Sequence, residues 1–135
     1  MDFSKSMAVA ASGMRAQSER MKIIAENIAN ANSTSPTKDG DPYRRKIATI
    51  SSEFDRALGA ATVNAGKPVM DRTDFRTRYD PGNPNADAQG YVKLPNVDSL
   101  VEIMDMREAQ RSYEADLNVM DSTKQMLART IDLLK

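Results

Sequence analysis

With 135 residues, 19 basic and 19 acidic side chains, the chain has the size of one ordinary domain and no formal charge, which disfavours nucleic acid or an anionic membrane as its partner. Cysteine and histidine are both absent, so disulfides, thiolate or imidazole metal sites and cysteine nucleophiles are excluded, and acid–base chemistry near neutral pH would fall to carboxylates, Lys or Tyr. Three Phe, four Tyr and no Trp offer little aromatic volume, and the remaining apolar residues suit helix seams better than a globular core.

From Phe3 to about Asn30 the pattern predicts a helix. Met7, Met14, Met21 and Ile28 recur every seventh residue with the small Ala11, Ser18 and Ala25 between them, a narrow seam that lets a partner helix approach closely. Gly13 inside it weakens the first turns by about 1 kcal/mol relative to Ala. Ala8-Val9-Ala10 imitates a signal-peptidase site, but Asp2 stands where a basic region is needed, and the apolar run Met7 to Ala11 is short. No run approaches the roughly 20 apolar residues of a membrane span. The chain is therefore expected to be cytosolic, or to leave the cell by a route that reads no cleavable signal.

Between Ser33 and Pro95 the texture changes, with all six prolines and five of the six glycines in this stretch. Pro36, Asp39-Gly40-Asp41-Pro42, Gly66-Lys67-Pro68 and Asp80-Pro81-Gly82-Asn83-Pro84 signal turns and loops. Phe75, Thr77 and Tyr79 alternate with Arg76 and Arg78, and Ile47 and Thr49 with Lys46 and Ala48, so each run predicts a short strand. Ser51 to Ala61 is expected to form one or two helical turns. The middle is thus an extended arm or a small β-rich insert, short of apolar residues for independent stability.

The closing segment, Asn96 to Lys135, carries the clearest pattern. Ile103, Met106, Tyr113, Leu117, Met120, Leu127, Ile131 and Leu134 follow alternating steps of three and four, with Gln110 and Lys124 filling the two gaps. That is a coiled-coil stripe with polar positions able to set register. Asn96 after Pro95 can cap the helix, and Ser99 with Glu102 offers a capping box one turn later. Asp121 and Lys124 are spaced for a supporting ion pair. A hairpin of two helices would show the same stripe, but this helix is longer than the first and its pattern runs to Lys135 without a stop signal, so part of its surface is expected to meet other subunits.

Candidate chemistry is sparse. Asp39, Asp41, Asp71, Asp74, Asp80 and Asp87 lack the spacing of a calcium loop and are expected on solvated turns. Tyr43-Arg44-Arg45-Lys46 is short for a phosphate site and is better read as an edge face or an intersubunit ion pair. Asn32-Ser33-Thr34 fits a glycosylation sequon without a secretory context, and Asn and Ser there suit a helix end, with Asn tolerating a left-handed backbone. The nine methionines suit adaptable packing.

Two segments at opposite ends carry a family resemblance. Ala25-Glu-Asn27-Ile-Ala-Asn30-Ala-Asn32-Ser-Thr34 is similar to the Asn-rich signature that ends the N-terminal helix of the bacterial flagellar basal-body rod protein family. Asn96-Val-Asp98, Glu102, Met104, Ala109-Gln110-Arg111-Ser-Tyr113 and Glu114-Ala115 are similar to its C-terminal signature. Tyr79-Asp-Pro-Gly-Asn-Pro84, Ala86-Asp87 and Gly90-Tyr-Val92 resemble the proximal-rod members, which lack large outer domains. Ser33-Thr34-Ser35-Pro36 departs from the Thr-Pro-Gly-Tyr turn common in the family, and nothing between Leu58 and Lys67 matches a motif.

The resemblance implies a mainly α fold in which N-terminal (residues 1–32) and C-terminal (96–135) helices pair as an antiparallel coiled coil, flanking an extended, partly β arm (33–95). It implies a structural subunit, exported by the flagellar type III apparatus and polymerised in the periplasm into the drive shaft that carries torque to the hook. Its partners would be other copies of itself, other rod proteins, the adaptor between membrane ring and rod, and the export apparatus. Met14, Met21, Ile28, Tyr113, Leu117, Met120, Leu127 and Ile131 are then the expected subunit interface. Asn27, Asn30 and Asn96 are expected to end or cap helices and to set register across subunits. No catalytic, cofactor-binding or metal-binding residue is expected, and neither nucleic acid nor a small-molecule substrate. Two rivals stand beside this reading. A cytosolic coiled-coil adaptor or export chaperone would explain the stripe alone, and a peptidoglycan-cleaving enzyme would need a carboxylate pair in a cleft.

Overall fold

A computed structural model describes residues 2–135; only Met1 of the expected N-terminal segment lies outside them. Helix α1 (Phe3–Ala29) is followed by strands β1 (Lys46–Ile47), β2 (Ile50–Asp55), β3 (Ala60–Ala65), β4 (Val69–Met70), β5 (Arg76–Tyr79) and β6 (Tyr91–Leu94), and then by helix α2 (Ser99–Leu133). The strands form three antiparallel ribbons, β1 with β4, β2 with β3 and β5 with β6. The fold is mainly helical with a partly stranded middle. The chain separates into two compact units, Met1–Met21 with Thr49–Lys67 and Arg107–Lys135, and Lys22–Ala48 with Pro68–Met106.

In the first unit α1 starts on a cap, since the Asp2 carboxylate accepts a hydrogen bond from the Lys5 amide at 3.1 Å. Its buried face is made of Ala10, Ser12, Gly13 and Ala16, and the parts of α2 buried with it are Ala109 and Thr123. The two helices pack against each other where Gly13 meets Asp116. The Asp116 carboxylate occupies the space beside Gly13 that a side chain there would need. Gly13, expected from sequence only to weaken the helix, therefore makes room for an α2 side chain.

Ser51 to Ala61 is not helical. It forms most of the β2–β3 hairpin, in which Ile50 pairs with Ala65 and Asp55 with Ala60. One helical turn survives at its tip, where the Gly59 amide donates to the Asp55 carbonyl at 2.7 Å and the Asp55 carboxylate accepts from the amides of Ala57 and Leu58. Gly59 takes φ 68°, the left-handed value that ends such a turn. Start and stop signals thus sit four residues apart, enough to suggest a helix and too close to build one. Ser12 holds the hairpin to α1 by accepting from the Val63 amide at 3.1 Å while donating to the Val9 carbonyl.

The second unit owns the larger apolar core: Ile23, Ile24, Ala31, Val92, Leu94 and Val97 are buried. Strand β6 alternates, with Val92 and Leu94 inward and Tyr91 and Lys93 outward. Arg76 joins the end of α1 to the approach of α2 by donating to the carbonyls of Ala31 at 2.8 Å and Pro95 at 2.9 Å. Helix α1 ends without a left-handed residue, because no described non-glycine residue has positive φ. It tightens instead through short-range bonds, Ala31 amide to Ile28 carbonyl and Ser33 amide to Asn30 carbonyl, while the Asn30 side chain donates to the Glu26 carbonyl. Helix α2 is capped by Asp98, whose carboxylate accepts from the amides of Leu100 and Val101. Neither Asn96 nor Ser99 supplies that cap.

Gly90 closes the β5–β6 ribbon at φ 87°, where a Cβ would stand 3.0 Å from Tyr79 and 3.2 Å from Pro81. Gly90→Ala is expected to destabilise the chain by about 1–3 kcal/mol, read as a lowered urea midpoint. An unchanged midpoint would show that the turn relaxes freely.

Candidate functional site: an exposed helix stripe and a buried polar cluster

The polar cluster belongs to the second unit and begins with Asn27, 1% exposed near the end of α1. Its amide nitrogen donates to the Lys46 carbonyl at 2.8 Å and to Glu102 at 3.2 Å. Its amide oxygen accepts from the Lys46 amide at 3.0 Å and the Tyr43 hydroxyl at 2.7 Å. One side chain therefore satisfies both backbone groups of Lys46 and ties them to the start of α2. Burial, with Glu26 and Glu102 nearby, raises the Tyr43 pKa and keeps the phenol a donor.

Glu102 is 1% exposed and pairs with the Arg45 guanidinium, which also reaches Asp71 at 3.3 Å and Asp105 at 3.8 Å. Lys46 pairs with Glu26 at 3.1 Å. The basic run Tyr43 to Lys46 thus finds partners inside the chain and is not a solvated edge. Asp71 is likewise no solvated turn. Hydrogen bonds from the Thr73 amide and side chain, then Arg45, hold its carboxyl below the ordinary carboxylate pKa. Asn96 accepts from the Arg45 amide at 2.8 Å and donates to the carbonyls of Asp71 and Thr73.

Of the three asparagines singled out from sequence, Asn27 and Asn96 bind middle-arm backbone and Asn30 sits at the helix end. Tyr43, Arg45, Asp71 and Glu102 were missed as a group. A signal existed for the helical part: Glu102, Ala109, Asp116 and Thr123 repeat every seven residues on α2, and Gly13, Arg20 and Asn27 do so on α1. Small and polar residues can hold a helix seam, but a search for apolar periodicity passes over them.

The predicted stripe lies beside that seam. Leu117 follows the seam residue Asp116 by one position, about 100° round an α-helix, whereas Tyr113 and Met120 lie four positions after Ala109 and Asp116, about 40° from them. Met14, Met21, Ile28, Tyr113 and Met120 are half-buried, while Leu117, Leu127 and Ile131 remain 41%, 37% and 49% exposed. Val119, Met126, Leu133 and Leu134 are exposed as well. In the first unit, therefore, most of the large apolar side chains of α2 remain exposed, whereas its buried positions are small or polar. Such a surface fits contact with other protein chains. Among the described residues no group of His, Cys, Asp or Glu is placed to hold a metal ion, and no helix is long and apolar enough to cross a membrane.

Two family models match the ends of the chain: one described as "Flagella basal body rod protein" over residues 7–35, and one described as "Flagellar basal body rod FlgEFG protein C-terminal" over residues 88–133. Curated relatives match over most of their length. The chain is 54% identical to the flagellar basal-body rod protein FlgC of Agrobacterium fabrum, covering 94% of this chain and 91% of the relative. It is 41% identical to FlgC of Salmonella typhimurium, over 93% and 92% of the two chains. For FlgC of Bacillus subtilis the identity is 38%, over 96% and 97%.

Proposed function

Because the chain belongs to the flagellar basal-body rod protein family, we propose that it builds that rod through the exposed apolar stripe of α2. It is a structural subunit of the flagellar basal body, not an enzyme, and it assembles with other rod components. The observation that carries the stripe's role is the imbalance of the first unit. Its buried apolar side chains are Ala10, Ala16 and Ala109, while Leu117, Val119, Met126, Leu127, Ile131, Leu133 and Leu134 are exposed.

The two helices pair as an antiparallel coiled coil. Support comes from contact order within the first unit: Gly13 meets Asp116, whereas Arg20, farther along α1, meets Glu108, earlier in α2, at 3.5 Å. Met14, Met21, Ile28, Tyr113, Leu117, Met120, Leu127 and Ile131 then face neighbouring subunits, both copies of this chain and other rod proteins. Contacts repeated head to tail do not close on themselves, so they extend a tube. A first unit that orders fully only on docking suits export through the flagellar type III apparatus and limits premature polymerisation. Once in the periplasm, the packed helices transmit torque to the hook. The domain reading follows: residues 1–32 and 96–135 make the assembling core and 33–95 an arm, its root locked by the Asn27–Glu102 cluster.

The test is mass spectrometry of purified hook-basal bodies beside the cytosolic fraction of the same cells. The chain should be retained with the rod after salt and detergent washing. Abundant cytosolic protein with none in the basal body would favour an adaptor or export chaperone instead.

A further inference from the structure

Among the described residues Asp116 and Lys124 are opposite charges on α2 that form no ion pair, and their surroundings complement each other. Asp116 lies in a groove of about 430 Å³ within the first unit, whose walls include Val9, Ala10, Ala60 and Val119. Burial raises its pKa. Lys5 lines the same groove, but its ammonium lies toward the hairpin turn, 3.4 Å from where a Gly59 Cβ would stand. Lys124 has the opposite problem. It occupies a gap in the apolar stripe between Met120 and Leu127, is exposed, and has no ion pair among the described residues; Asp132 of α2 instead pairs with Lys135, beyond the helix end. A lysine in a seam that becomes dry on assembly needs an anion.

We infer that Lys124 of one copy inserts into the Asp116 groove of the next copy. The apolar walls take the four-carbon stem and the carboxylate takes the ammonium, as long cationic side chains prefer. The inference rests on the proposed intersubunit role of the stripe and adds a register to it. An apolar stripe alone tolerates slippage by a turn, whereas a paired charge inside it selects one alignment. The isolated subunit carries a half-buried unpaired carboxylate, so the contact stabilises the helix pair only in the polymer.

The experiment replaces the chromosomal copy with charge variants and reads motility and the amount of the chain in purified basal bodies. Asp116→Lys and Lys124→Asp are each expected to reduce incorporation about tenfold or more, and the double variant to restore it. Asp116→Asn guards against misfolding: it should reduce incorporation while leaving or raising the helix content and melting temperature of the purified chain. Glu108→Ala, outside the groove and 68% exposed, should incorporate normally. The inference is overturned by normal incorporation of either single reversal or by a double variant no better than the singles. Those outcomes leave the stripe's role standing if a charge at Leu127 still blocks assembly.

Discussion

Leu127→Asp is expected to abolish motility and to remove the chain from basal bodies, while the purified variant keeps the helix content of the parent. Leu127 is 37% exposed and lies on the stripe, beside the small-residue seam and four positions after Thr123. A carboxylate there is solvated in the free chain and costs little. In an assembled seam the same group is desolvated without a partner, a penalty of several kcal/mol. In a head-to-tail polymer that penalty recurs at every subunit, so the loss should be complete. Glu108→Ala is the contrasting variant. Glu108 pairs with Arg20 at 3.5 Å but its side chain is 68% exposed, and exposed pairs contribute about 0–1 kcal/mol. Its motility should match the parent. Normal swimming of the Leu127→Asp strain would remove the stripe from the interface.

The largest stability effect is expected at Glu102. Glu102→Ala leaves Arg45 without its most buried partner and Asn27 without one of its acceptors. Breaking a buried ion pair from one side typically destabilises by about 3–5 kcal/mol, comparable to the whole stability of a small domain. Urea unfolding of the full chain, followed by circular dichroism, should show a sharply lowered midpoint. Glu102→Gln, which keeps an acceptor for Asn27, should fall between. A shift within experimental error for Glu102→Ala would mean that Asp71 and Asp105 hold Arg45 unaided.

The same cluster sets an acid limit. Asp71 has a lowered folded-state pKa, chiefly through its hydrogen bond from the Thr73 backbone. Its stabilising contribution is present above the ordinary carboxylate pKa and is lost as pH falls through the lowered value. Asp116 has the opposite sign. Its burial-raised pKa means that protonation on acidification relieves a strain on the helix pair, and the relief is lost again as pH rises through that value.

How much was legible in the sequence differs between elements for identifiable reasons. The two helices and the turn-rich middle were readable because heptad spacing and clustered Pro and Gly are local signals. The hairpin at Ser51 to Ala61 was not, since Asp55 and Gly59 imitate a helix start and stop, and only the β2–β3 pairing with Val63 against Ser12 reveals strands. The cap of α2 lay within a turn of the expected place, yet Asp98 took it because Asn96 is engaged by Arg45, Asp71 and Thr73. No local pattern announces that competition.

By itself the sequence determined the helix-rich architecture and the family. Periodicity, composition and signature motifs are properties of neighbouring residues, and they survive without knowledge of the fold. Only the tertiary structure decided which residues meet: that the seam within the chain is the small and polar heptad of Gly13, Ala109 and Asp116, not the methionine and leucine stripe. It also showed that Tyr43, Arg45 and Asp71, distant in sequence, close around Asn27 and Glu102. Two heptads share α2, and periodicity gives each of them a face but not a partner; that choice depends on how closely the backbones approach, which small residues permit and larger ones prevent.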